Sequence, residues 1–232
     1  MKNLMKAVTI PVCAIALMGS LLHASPKLDE HLHQLQLLEA DFNSRNEDNP
    51  FTSLSECVDL MNEIHLYYAA SSQLWSEEGN ALEAELYKNA ANKWHHESKA
   101  IDHEGAAGQK MFKAALLIDE LYHSGQEIQT NEIQTFLLDL ANYYDVAASH
   151  WNSAGNLIEA TECSDMANAI LQDAVEAAHQ EAHSYQETAY DLIALSFEAP
   201  ARNYLVASNP EIIEKGKELA AREPFKSAKE KF

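Results

Sequence analysis

The chain has 232 residues, 36 of them Asp or Glu against 16 Lys or Arg, and a formal net charge of −20. Such a field repels phosphate backbones and anionic head groups, which excludes nucleic acid and acidic membrane surfaces as natural partners and points to cations and basic proteins. The length allows one sizeable core or two smaller ones. With only seven Gly and no strand-like alternation, the expected class is all-α.

The first residues carry Lys2 and Lys6, an apolar run from Ala7 to Leu22 follows, and Leu22-His23-Ala24-Ser25 closes it. This is the layout of a secretory signal peptide over residues 1–24, cleaved after Ala24. The run contains Pro11 and is too short to cross roughly 30 Å of hydrocarbon. The mature chain is therefore expected to be exported, periplasmic or extracellular, with no stable membrane insertion. Export opens disulfide chemistry to Cys57 and Cys163; the same two residues read equally as buried small hydrophobes.

Residues 25–51 form an N-terminal helix and loop. Leu28, Leu32, Leu35, Leu38 and Phe42 recur at helical spacing, predicting a helix that stops before the polar stretch Asn43 to Pro50. Ser53-Leu54-Ser55-Glu56 is a capping box that opens a second helix reaching Gly79. A further helix starts at Asn80 and is expected to break at Gly105 and Gly108, after which Met111 to Tyr122 carries another, ended by Gly125. Residues 52–127 thus read as a unit of three helices.

The unit is then written again. YYAASSQLWSEEGNALEA, from Tyr67 to Ala84, returns 76 positions later as YYDVAASHWNSAGNLIEA, from Tyr143 to Ala160, which makes residues 128–203 a second copy. In each corner a Gly (Gly79, Gly155) supplies the left-handed residue that ends a helix, an Asn (Asn80, Asn156) caps the next, and a Glu three later (Glu83, Glu159) can reach back to the cap. That is the chemistry of a tight αα-hairpin. Large residues before the corner (Tyr68 and Trp75, Tyr144 and Trp151) and small ones after it (Ala84 and Ala91, Ala160 and Ala167) suit closely packed paired axes. Asn209-Pro210 opens a last helix, stopped by Pro224. Residues 204–232 hold it and a basic tail, with Lys215, Lys217, Arg222, Lys226, Lys229 and Lys231 crowded there, while no Lys or Arg lies between Lys113 and Arg202. The whole reads as a helical-hairpin repeat or bundle of about seven helices.

Counted from the corner, Tyr68, Trp75, Gly79, Ala84 and Ala91, like Tyr144, Trp151, Gly155, Ala160 and Ala167, fall on the large, large, Gly, Ala and Ala positions of a known pattern. The hairpins resemble tetratricopeptide repeats over about 30 residues each. Ser72 and Ala148 stand where that pattern has its first-helix Gly. The resemblance implies a scaffold whose concave face holds a peptide or protein.

Catalytic signatures are missing. Glu104 to Lys110 has the wrong Gly spacing for a phosphate loop, and no nucleophile elbow, dinucleotide fingerprint or calcium loop is present, so the chain is read as non-enzymatic. His179 and His183 lie four apart in HQEAH, on one face of a predicted helix, where with Glu176 or Glu187 they could hold zinc or copper. His95, His96 and His103 form a looser cluster. Adjacent helical residues diverge by about 100°, so Tyr67 and Tyr143 face away from their buried neighbours and, with Glu77 and Glu78, make a candidate partner surface. The expected function is an exported helical scaffold or adaptor for a basic protein or peptide; the alternative is a divalent-metal-binding helical bundle built on His179 and His183.

Overall fold

The computed structural model describes residues 25–47, 53–125, 130–178, 218–219 and 221–222. These are helical: α1 (Pro26–Glu47), α2 (Leu54–Glu77), α3 (Ala81–Ser124), α4 (Thr130–Ser153) and α5 (Leu157–Ala178), with no strand among the described residues. Residues 1–24, read in sequence as a signal peptide, His179, His183 and all residues beyond Arg222 lie outside the described residues.

The chain divides into two compact units, residues 1–51 with 55–98, and residues 52–54 with 99–232, so the division falls within α3, after Ser98. In the first unit α1 runs antiparallel to α2. Ser25 at the start of α1 meets Glu78 at the end of α2, the Tyr68 hydroxyl donates to Glu39 midway, and Arg45 reaches Glu56 at the far end. α2 is likewise antiparallel to the first part of α3, from Ser72 Oγ on the Ala84 carbonyl (2.7 Å) to Ser98 Oγ on Asn62 Oδ1 (2.9 Å). The apolar stripe expected of α1 supplies its part of the core: Leu28, Leu35, Leu38 and Phe42 are buried, with Phe42 edge-on to Trp94 at 5.1 Å.

In the second unit the later part of α3 runs antiparallel to α4. Lys110 pairs with Asp139, Glu104 with Trp151, and the His103 and His150 rings lie 5.7 Å apart. α4 packs on α5, and Leu137, Leu140, Tyr144 and Trp151 of the first and Cys163, Ala167 and Ile170 of the second are all buried. Burial repeats at the 76-residue interval: Met61 and Leu137, Ile64 and Leu140, Ser71 and Ala147, Trp94 and Ile170 are each buried in their own unit. Cys57 and Cys163, open in sequence to a bridge, are each buried within their own unit. Burial first, and the charge of Glu56 second, push the Cys57 thiol up to about 12, so it behaves as a small hydrophobe.

Two sequence expectations are corrected. α1 does not stop at Asn43 but continues to Glu47, where Arg45 is held by Asp41 one turn back and by Glu56. The break expected at Gly105 and Gly108 does not occur either. α3 runs unbroken from Ala81 to Ser124, so residues 52–127 hold two helices rather than three. The physical reason is visible at Gly105, which is buried against Leu54: a Cβ there would lie 2.0 Å from Leu54 Cδ2 and 3.0 Å from Cγ. A glycine inside a helix costs only about 1 kcal/mol relative to alanine, and here the missing side chain admits another helix's leucine. The residue serves close approach, not termination.

That account predicts a sign reversal. Gly105→Ala is expected to destabilise by about 1 kcal/mol, because displacing a buried leucine costs about 1–3 kcal/mol against the propensity gain. In a Leu54→Ala background the same change becomes stabilising by about 1 kcal/mol. Urea unfolding of the four proteins in this cycle measures both values; a gain from Gly105→Ala in the wild-type background, or no gain in the Leu54→Ala background, would mean that Leu54 does not set the cost.

Candidate functional site

The two corners have the same hydrogen bonds. In the first, the Gly79 N–H donates to the Ser76 carbonyl (3.1 Å) and the Asn80 N–H to the Trp75 carbonyl (2.9 Å); in the second, Gly155 donates to Asn152 (3.0 Å) and Asn156 to Trp151 (2.9 Å). This is a Schellman motif, closed by glycines at φ +79° and +83°. The asparagine then begins the next helix: the carbonyls of Asn80 and Asn156 accept from Ala84 (3.1 Å) and Ala160 (3.0 Å), and Asn80 Oδ1 accepts a long 3.5 Å bond from the Glu83 N–H. Glu83 and Glu159 are half-buried. One residue is both the end of one helix and the cap of the next.

The tryptophan whose carbonyl closes each corner is buried. Trp75 packs with Leu28 and Leu74, and Leu32, Ala84 and Tyr87 lie against them. Trp151 is 2% exposed and donates from its indole N–H to Glu104. Ala91, Ala160 and Ala167 are buried beside their partner helices.

Outside the packing, each corner presents apolar and acidic groups together. Glu77 and Glu78 are exposed, Glu77 taking a bond from Gln73 (3.0 Å) and Glu78 from the Ser25 N–H (2.8 Å). One turn on, Leu82 is 69% exposed, and its counterpart at the same interval, Ile158, is 72% exposed next to the exposed Leu157. Leu86 continues the first patch beside the exposed Glu85, and Glu162 follows the second. Tyr67 and Tyr143 are not fully exposed. Tyr67 is half-buried with its ring 5.5 Å from His31, and Tyr143 lies 6.2 Å from His103 with the Lys110 ammonium 5.6 Å over its ring.

Sequence reading missed three buried carboxylates: Glu39, Glu97 and Glu104. The signal was there, since Glu39 stands four after Leu35 and three before Phe42, and Glu97 and Glu104 flank Ile101 at helical spacing, all within apolar stripes. Lys93 lies 3.7 Å from Glu97. Glu39 accepts the Tyr68 hydroxyl at 2.5 Å; burial raises its carboxyl above the ordinary carboxylate value, and the tyrosine bond offsets part of that rise. Burial, with the Glu39 charge second, raises both Tyr68 and Tyr87 above the ordinary phenol value.

Among the described residues, histidines of α2 and α3 gather in ring contacts. The His65 and His95 rings lie 5.0 Å apart and His95 and His96 5.4 Å; His65 Nδ1 sits 2.9 Å from the Ala91 carbonyl, which can only accept, so Nδ1 carries the proton. Among the described residues no group of three or more His, Cys, Asp or Glu is placed to hold a metal ion, and no helix is long and apolar enough to cross a membrane. No protein-family model, curated protein or solved structure matches this chain.

Nothing lies within 4 Å of a Cβ built on Gly79 or Gly155, so alanine at either corner meets only the left-handed backbone penalty and is expected to cost about 1–2 kcal/mol, read as a lowered urea midpoint with unchanged slope. At Glu39 the folded state favours the protonated carboxyl. That contribution is fully present below the unfolded pKa and is lost as pH rises through the raised folded one. Glu39→Gln should therefore raise the thermal midpoint more at pH 7 than at pH 4. Tyr68→Phe, which strands the carboxylate, should cost about 1–3 kcal/mol at pH 7 and less at pH 4. Equal effects at both pH values would mean that Glu39 is not buried as an ionised group.

Proposed function

We propose that this chain is an exported, non-enzymatic helical scaffold or adaptor, built from a duplicated helical unit similar to tetratricopeptide hairpins, that binds a basic protein or peptide. Support for the duplication comes from the matching corner bonds and from the burial that recurs 76 positions on. The repeating element in this reading is a hairpin together with the helix packed before it: α1, α2 and the first part of α3, then the rest of α3, α4 and α5.

The binding reading is carried by one observation. Each corner leaves a large aliphatic side chain, Leu82 or Ile158, more than two-thirds exposed among carboxylates. Exposed apolar groups set in an acidic rim suit a partner that brings aliphatic contacts and positive charge together, the first supplying affinity and the second orientation and association rate. The export reading rests on the first 24 residues of the sequence.

The test is capture from envelope extract or culture fluid, comparing wild type with a Leu82→Ser, Ile158→Ser variant of unchanged helicity. A cognate partner should be retained at least about tenfold less by the variant, the loss of about 1.4 kcal/mol. Its affinity for wild type should fall as ionic strength rises from about 0.05 to 0.5 M, where screening shortens from beyond 10 Å to about 4 Å. Affinity that is flat with salt removes the electrostatic half of the reading, and equal retention by the variant removes the apolar half.

A further inference from the structure

The second unit holds a piece of the chain's own C-terminal segment. Glu218 and Leu219 are helical, and the Arg222 N–H closes the following turn on the Leu219 carbonyl at 3.0 Å. Leu219 is 2% exposed and packs with the buried Ala115 and Ile118 of α3, while Phe112 and Leu116 of the same helix and Phe136 of α4 lie against the cluster. Three residues on, the Arg222 guanidinium lies 3.7 Å from Asp119 on the rim and 3.8 Å from its own Glu218. An apolar anchor followed one turn later by a basic group therefore sits on an apolar seat with an acidic edge.

We propose that this seat, Ala115, Ile118 and Asp119 with the surrounding aromatic rings, is a recognition surface for segments of Leu-x-x-Arg pattern, and that the protein's C-terminal segment occupies it in cis and excludes a partner's. The inference rests on the scaffold reading for the chemistry of that partner and adds where it binds and what it must displace. Three features support exchange. Among the described residues of the segment, the large buried side chain is Leu219. Arg222 and Glu218 are 54% and 68% exposed and their contacts are long, so the ion pairs hold the segment weakly. The chain also concentrates six basic residues between Lys215 and Lys231 and none between Lys113 and Arg202, so the segment carries positive charge that α4 and the part of α3 after Lys113 lack.

Tethering lets a weak contact fill the seat. A linked segment acts at an effective concentration in the millimolar range. Where that is about ten times the segment's intrinsic dissociation constant, unseating it should tighten binding of an outside segment by about tenfold. The occupant thus sets a threshold that a weak basic segment fails to cross and a stronger one passes.

The probe is a fluorescent peptide with the sequence of residues 211–232, titrated by anisotropy at low salt into full-length wild type, Leu219→Asp, and Leu219→Asp combined with Asp119→Lys. Leu219→Asp is expected to bind the peptide about tenfold more tightly than wild type, and the added Asp119→Lys to abolish the gain. No gain in a Leu219→Asp protein of normal helicity overturns the proposal. If that variant loses helicity, Arg222→Glu, at an exposed position, takes its place, with a gain of about threefold expected; no gain there overturns the proposal equally. A basic partner captured equally well by wild type and by Asp119→Lys would leave the scaffold reading standing and remove this surface. A peptide gain of the expected size with no basic partner captured would do the reverse.

Discussion

The fold depends on a single backbone event, the reversal of the chain at Gly79-Asn80 and again at Gly155-Asn156. A helix end leaves four carbonyls without partners and a helix start leaves four N–H groups. Here two residues answer both needs: the glycine enters the left-handed region at φ +79° or +83°, and the asparagine N–H reaches back to a tryptophan carbonyl while its own carbonyl starts the next helix. With no linker to absorb error, the direction of the second helix follows from the first. The tryptophan that supplies the carbonyl is also buried, so corner geometry and core packing are fixed by the same residue. A loosened corner would therefore loosen the core beside it.

This coupling explains what could be read from the sequence. Corners are local: Gly, Asn and the heavy aromatic before them act within a few residues, and the class, the corners and the apolar stripe of α1 were all legible. Gly105 was not. Its meaning depends on Leu54, some fifty positions away in sequence, whose side chain occupies the space where a Cβ would stand. Seen alone, a glycine in a helical pattern is a breaker; seen with its neighbour, it is a contact. The end of α1 escaped for a similar reason, since Arg45 is held partly by Glu56 of another helix.

The candidate sites divide along the same line. Exposure of Leu82 and Ile158 was not read from the sequence, where an aliphatic residue two positions after a cap carries no mark of its own. In a closely packed hairpin, however, the narrow seam already filled by Ala84, Ala91, Ala160 and Ala167 leaves these flanking positions outside. The buried carboxylates were legible in principle. Glu39, Glu97 and Glu104 break apolar stripes at helical spacing, and a charge on such a stripe must find a partner or neutralise. The structure supplies partners to Glu39 from a tyrosine hydroxyl and to Glu104 from an indole N–H. Aromatic residues that looked like pure packing groups in sequence thus also satisfy acids.

Charge gives the last constraint. From Lys113 to Arg202 the sequence has carboxylates and no permanent cation, and such a run repels itself when folded into adjacent helices. The cations that meet these carboxylates come from outside the run: Lys110 reaches Asp139 from before it, and Arg222 reaches Asp119 from beyond it. The C-terminal segment is therefore more than an appendage with a stray leucine. Arg222 brings positive charge to Asp119, and Leu219 fixes where that charge arrives. A surface whose acidity is only partly met by its own chain remains attractive to another basic segment, and the more basic that segment, the more completely it replaces what the tail supplies. In the proposed reading, this imbalance sets the chain's own C-terminal segment and an outside basic segment in competition for one place.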